Sequence, residues 1–191
     1  MQRKLKAIAS FLIVISVASL VVFIHIKTAD RVTQSPYNSQ LSSPVRGLSA
    51  QEVDDLLNGR GSGYARMAEL NSYPGPAHVL ELREQLELSA KQVQRIKTVF
   101  QKMNREAKEI GQEIVEREQE LSAAFANNDI TPAELQPQTQ LLAELYGGLR
   151  TTHLEAHLEV TPMLSPEQIS AYNTLRGYTG GEAHNSHHLR H

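Results

Sequence analysis

The residues best equipped for chemistry are His153 and His157, in "HLEAH". Four apart on a helix, they share one face. Two neutral imidazoles at that spacing can chelate one Zn²⁺, Ni²⁺, Co²⁺ or Cu²⁺ ion. A metalloprotease would need Glu directly after the first His, but Leu154 stands there and Glu155 comes one place late, so H-E-x-x-H is not met. A plainer reading, two polar residues on a solvated face or bonded to a neighbouring helix, stays open. His78, in "GPAHVLEL", begins a helix after a turn and is the candidate third ligand. Glu159 and Met163 lie close by in sequence, although Met more often fills a core. A second group of imidazoles, His184, His187, His188 and His191, occupies "GGEAHNSHHLRH". That tail has no apolar period and is predicted to be disordered. His-rich tracts of this kind gather borderline metals, but a polar tail with accidental histidines would look the same. Ligating His must be neutral, so capture at either place should fade below about pH 6.5.

Other chemistries find little support. Cysteine is absent, which removes disulfides and thiol catalysis or ligation. "GRGSG" at 59–63 follows no strand and lacks the Lys-Ser/Thr of a phosphate loop, so it reads as a flexible joint. "NREAKEIGQEIVEREQE" is a solvated helix face with pairs such as Glu113–Arg117. No Ser/His/Asp arrangement or acid–base carboxylate pair is legible, and an enzyme is not expected. The net charge of −2 argues against nucleic acid, because phosphate binding needs a cationic face.

The elements that must position the histidines are helices. With 40% apolar residues but only 5% aromatic ones and no Trp, the chain suits slender helical packing. Ser49-x-x-Glu52, Ser89-x-x-Gln92, Thr131-x-x-Glu134 and Ser165-x-x-Gln168 are capping boxes, in which hydroxyl and acidic or amide side chains satisfy backbone N–H groups at a helix start. Each cap is worth about 0.5–2 kcal/mol, so these residues mark helix starts and need no catalytic role. After Ser89 the apolar residues Val93, Ile96, Phe100, Met103, Ala107, Ile110, Ile114, Leu121 and Phe125 follow steps of three and four, with Arg117 in one slot. "ANNDITP" ends that run. Leu135, Leu142, Leu145, Leu149, Ala156 and Val160 then line a second helix, with Leu141, Leu154 and Leu158 widening the stripe. Two long helices and a short loop make an antiparallel hairpin, the first helix of about 37 residues, from Ala90 to Ala126, reaching about 55 Å. Ordering each residue costs roughly 1–2 kcal/mol, and a buried Leu or Ile returns about 1.5–3. So thin a hairpin is expected to pack against short flanking helices and a second copy, as a homodimer.

Upstream, Arg3, Lys4 and Lys6 precede an apolar run from Ala7 to Ile26. Twenty residues at 1.5 Å each span about 30 Å, enough for a bilayer, with the basic end held in the cytoplasm. Residues 1–27 therefore read as a transmembrane signal-anchor, the alternative being a signal peptide cleaved after Ser16-Val17-Ala18. Residues 28–47, rich in Ser, Gln and Pro, read as a linker. Residues 48–178 form the expected helical domain and 179–191 the tail. The fold class is all-α.

Paired Leu-Ser-x-x-Gln phrases, "LELSAKQ" and "MLSPEQ", bracketing a long helical hairpin behind an export signal resemble the Spy/CpxP family of periplasmic proteins, whose name-motif carries Thr where Ser89 and Ser165 stand. The likeness covers roughly residues 48–178. The superfamily also includes zinc-resistance-associated proteins and membrane-anchored nickel/cobalt sensors. The resemblance implies an all-α cradle, often dimeric, without enzymatic activity. Its partners would be unfolded client proteins or an inner-membrane signalling partner, such as an anti-sigma factor or sensor kinase. The anchor aligns this chain with the sensors; a client-binding chaperone is the alternative.

Overall fold

Ser49, Ser89, Thr131 and Ser165 all sit in extended backbone, and each side-chain oxygen accepts the N–H three residues on, so a helix starts at each. In every case the residue at that third position also returns a side-chain oxygen to the cap backbone, completing the box. A computed structural model describes residues 35–180, and all regular structure among them is helical. The chain divides into two units, Met1–Asn38 and Ser39–His191. Of the first, only Ser35–Asn38 is described, a turn closed by the Asn38 N–H on the Ser35 carbonyl at 3.0 Å. The expected anchor and His184–His191 lie outside the described residues, among which no helix is long and apolar enough to cross a membrane.

The second unit contains α1 (Ala50–Asn58), α2 (Arg66–Leu70), α3 (Pro76–Glu81), α4 (Ala90–Ala126), α5 (Pro132–Val160) and α6 (Pro166–Leu175). Helices α4 and α5 pack along each other as the hairpin, and α1 and α3 pack on α4. Ile96, Met103, Ala107 and Ile114 of the expected seam are buried. So are Val99 and Val115, off that seam, because α4 faces the short helices as well as α5. No residue between Glu116 and Leu141 is buried, and Phe125 is left 56% exposed. The flanking helices end before the hairpin tip, which stands as a bare two-helix arm.

The core has two parts. One gathers Val45, Leu48, Val53 and Leu56 against Ala107, Ile114, Val115, Leu142 and Leu149. The other gathers Val79 and Leu86 against Ile96, Val99, Met103, Ala156, Val160, Leu164 and Tyr172. Val45 is buried inside the stretch read as linker, so packing begins three residues ahead of Leu48. In the first part α1 lies so close to α4 that a Cβ on Gly111 would collide with the Leu56 carbonyl group. Gly59 closes α1 with φ 63°, a left-handed cap that glycine adopts without strain, and it too lies against α4.

Candidate functional site

Helix α5 presents His153 and His157 to the segments around Tyr64 and Tyr73 that pack over it, and both are buried, at 3% and 7% exposure. They do not lie on a solvated face. Four-residue spacing puts them one turn apart, between Leu149 of the first core part and Ala156 and Val160 of the second. Pro74, Gly75 and Pro76 form the buried turn that starts α3 and delivers His78. Helix α2 supplies Glu69. The segment after α6 supplies Arg176 and Tyr178.

Glu69 is the hub. Its Oε1 accepts from His78 Nδ1 at 2.6 Å and from the Tyr172 hydroxyl at 2.9 Å. Its Oε2 accepts from the Tyr178 hydroxyl at 2.7 Å and pairs with Arg176 Nη2 at 3.6 Å. Burial alone would raise its pKa, but the hydrogen bonds from His78, Tyr178 and Tyr172 outweigh that and hold it at about 2. A carboxylate charged at neutral pH accepts the His78 Nδ1 proton and leaves Nε2 as the nitrogen not bonded to it. That Nε2 has Arg176 Nη2 3.5 Å away.

His157 is set in the same tautomer by a different acceptor. Its Nδ1 lies 2.7 Å from the Tyr73 carbonyl, which only accepts, so Nδ1 carries the proton and Nε2 the lone pair. Gly75 makes room for it: a Cβ there would stand 3.0 Å from His157 Nε2 and 3.1 Å from Glu69 Oε1. His153 stacks parallel to the Tyr64 ring with centroids 6.0 Å apart. Its Nε2 is buried without a hydrogen-bond partner. Burial, and then the neighbouring His157, push its pKa below 6.5, so the ring is neutral at neutral pH.

These side chains line one cavity of 370 Å³, walled by Glu69, His78, His153, His157, Arg176 and Tyr178 on one side. Gly61, Ser62, Gly63, Ala65 and Arg66 complete its lining, and all of these but Ala65 are exposed, so the cavity opens to solvent there. The three histidines singled out from sequence in the described region thus share a cavity, although no group of three or more His, Cys, Asp or Glu among the described residues is already drawn together as a metal site. Glu159 lines a different surface with Lys102 and Glu106, and Met163 packs in the second core part, so neither joins the histidines.

Sequence reasoning passed over several of these residues. Glu69, Arg66, Arg176 and Tyr178 belong to no motif. The Gly-rich stretch was expected to be only a joint, yet it is pinned by Arg60 on Asp54 and Asp55 and by Ser62 Oγ on Asp55 at 2.9 Å, and it forms a cavity wall. The paired Leu-Ser-x-x-Gln phrases also do more than start helices. Gln92 Nε2 donates to Gln168 Oε1 at 2.8 Å and to the Met163 carbonyl at 2.9 Å, while Gln168 Nε2 donates to the Leu86 carbonyl at 3.0 Å. The two boxes clasp each other and tie the start of α4 to the start of α6. The signal was in the sequence: Glu caps as well as Gln, but only Gln has N–H groups left to give.

No protein-family model matches the chain, and neither a curated protein nor a solved structure is significantly similar to it.

Proposed function

We propose that this chain is a non-catalytic protein of the bacterial cell envelope that senses or buffers a divalent transition metal through His78, His153 and His157. The observation that carries the reading is the pairing of two Nδ1 atoms with oxygen acceptors. His78 and His157 each give their Nδ1 proton to an oxygen acceptor, Glu69 and the Tyr73 carbonyl, so Nε2 is the nitrogen each has for a metal. Ligating histidines are held this way, with the second nitrogen bonded to a carboxylate or main-chain oxygen. His153, neutral and with its Nε2 unpartnered, lines the same cavity and is the third candidate ligand. Zn²⁺, Ni²⁺, Co²⁺ and Cu²⁺ all suit imidazole.

The cavity walls come from the Gly-rich stretch, α2, α3, α5 and the segment after α6. A metal that draws the three nitrogens inward therefore favours one arrangement of α2 and α3 on the hairpin over another. It shifts the population by the difference in its affinity for the two. The apolar run from Ala7 to Ile26 supports tethering to the inner membrane with the helical domain on the periplasmic side, and the resemblance to the Spy/CpxP proteins supports the same placement.

Calorimetric titration of the full chain with the four metals tests this. Micromolar binding that is lost in the His153→Ala/His157→Ala double variant, and weakened by Gly75→Ala through the intruding methyl, is expected. Unchanged binding in all variants refutes the cavity as the site. The chaperone alternative draws on the exposed Met67, Leu70 and Leu158, at 54%, 61% and 60%. Suppression of client aggregation without metal, and undiminished by the double histidine variant, would select it.

A further inference from the structure

Along the outer side of α4, turned away from its buried residues, steps of three and four pick out one stripe. Its first half carries Lys91, Arg95, Lys102 and Arg105, all exposed, with only the neutral Thr98 among them. Its second half carries Glu109, Glu113, Glu116 and Glu120, all exposed except the half-buried Glu113. On this stripe opposite charges stand one turn apart only at Arg105 and Glu109, in the order that supports a helix less well. None of the four cations makes an ion pair among the described residues. Of the four carboxylates only Glu113 and Glu120 do, both with Arg117. Glu106, Glu155 and Glu159 border Lys102 without pairing with it. The stripe therefore holds two opposite blocks of charge, end to end and largely unpaired.

Such a stripe is complementary to its own reverse. Two copies laid antiparallel along α4 set Arg105 opposite Glu109, Lys102 opposite Glu113 and Arg95 opposite Glu120, while Thr98 meets Glu116. Each of these pairs is centred on Ala107 or half a residue beyond it, so a single register satisfies them all. A two-fold axis there makes every pair twice. A parallel arrangement would instead set cation against cation and carboxylate against carboxylate. We propose that the outer stripe of α4 is the interface between two copies of this chain, antiparallel about a two-fold axis at Ala107 and aligned by these ion pairs. The thin hairpin was expected to pack against a second copy, and the charge blocks give that copy a face, a direction and a register. Exposed ion pairs are individually weak, and no large apolar side chain lies on the stripe. The contact is therefore reversible and salt-sensitive, with charge fixing its orientation. It does not depend on the metal reading.

The test is sedimentation of the full chain in a neutral detergent, with charge reversals on the two blocks. Lys102→Glu/Arg105→Glu and Glu109→Lys/Glu113→Lys are each expected to weaken self-association about tenfold or more, because like charges then face each other. An equimolar mixture of the two variants is expected to associate at least as well as the unaltered chain, since every reversed residue meets a reversed partner. Raising the salt from about 50 mM to about 500 mM should dissociate the unaltered pair. Register is read separately by cross-linking, which the absence of cysteine makes clean. Under mild oxidation, Thr98→Cys chains mixed with Glu116→Cys chains should form a disulfide-linked dimer, and neither should do so alone. A chain that stays monomeric up to about 100 μM overturns the inference. So does self-association that ignores both reversals, a mixture that associates no better than its components, or cross-linking of either single variant as strong as that of the mixture.

Discussion

The two halves of the core are locked by opposite means. Where α1 meets α4, the lock is backbone fit: Gly111 and Gly59 remove side chains so that main chains approach, and the Asn104 side-chain amide bonds the Asn58 carbonyl at 3.0 Å. Where α4, α3 and α6 converge, the lock is a polar clasp, in which Gln92 and Gln168 bond each other and two carbonyls. The capping boxes follow the same division. Glu52 and Glu134 serve exposed helix starts and touch only their own cap residues, whereas the two Gln boxes face each other. A local motif thus takes its last residue from its tertiary neighbour. The histidine cavity lies between the halves, so either lock can reach it.

The largest effect is expected from the backbone lock. Gly111→Ala drives a methyl into the Leu56 peptide, which cannot swing aside, and should cost about 1–3 kcal/mol or more. A lowered urea midpoint with an unchanged slope would show it; a neutral result would mean that α1 docks loosely. Next comes the clasp. Gln168→Glu keeps its own box but turns a donor on the Leu86 carbonyl into a repelling oxygen, for a loss of about 1–3 kcal/mol. A Gln92→Ala/Gln168→Ala cycle should report a coupling of about 0.5 kcal/mol or more; strict additivity would dissolve the clasp.

The cavity between the locks should give a smaller, pH-dependent effect. The His153 pKa is depressed on folding, so its stabilising share is complete above about 6.5 and declines as pH falls below that value. The Glu69 pKa is depressed from 4.5 to about 2, so its share is complete above 4.5 and is lost as pH falls toward 2. Stability is therefore expected to decline in two stages on acidification, and His153→Phe, which retains the stack on Tyr64, should abolish the upper stage alone. Retention of that stage would assign it to another group. Smallest of all, Glu52→Gln and Glu134→Gln should shift stability by less than about 0.5 kcal/mol, because a Gln oxygen caps equally well and no neighbour waits for its N–H. A large loss there would erase the contrast between the two kinds of box.

Much of the fold is legible in the residues themselves. The helix starts at Ala90, Pro132 and Pro166 follow from Ser89, Thr131 and Ser165, whose oxygens act within one turn and need no distant partner. Much of the seam is equally local, since steps of three and four place Ile96, Met103, Ala107 and Ile114 on one face. Val99, Gly111 and Val115 escaped that pattern because their burial depends on what packs over α4. Phe125 failed in the other direction, fitting the stripe but staying 56% exposed at the hairpin tip.

The candidate site divides along the same line. That His153 and His157 share a face was decided by helical pitch. Sequence alone could not decide that this face is buried, that Tyr73 and Glu69 take the Nδ1 protons, or that Arg66 and Arg176 enter the same cavity. Those are meetings between residues up to about a hundred positions apart, such as Tyr172 and Tyr178 on Glu69. Local stereochemistry determines where each helix begins and which way it faces. Only packing determines which faces meet, because contact energies exist only once the chain has closed on itself.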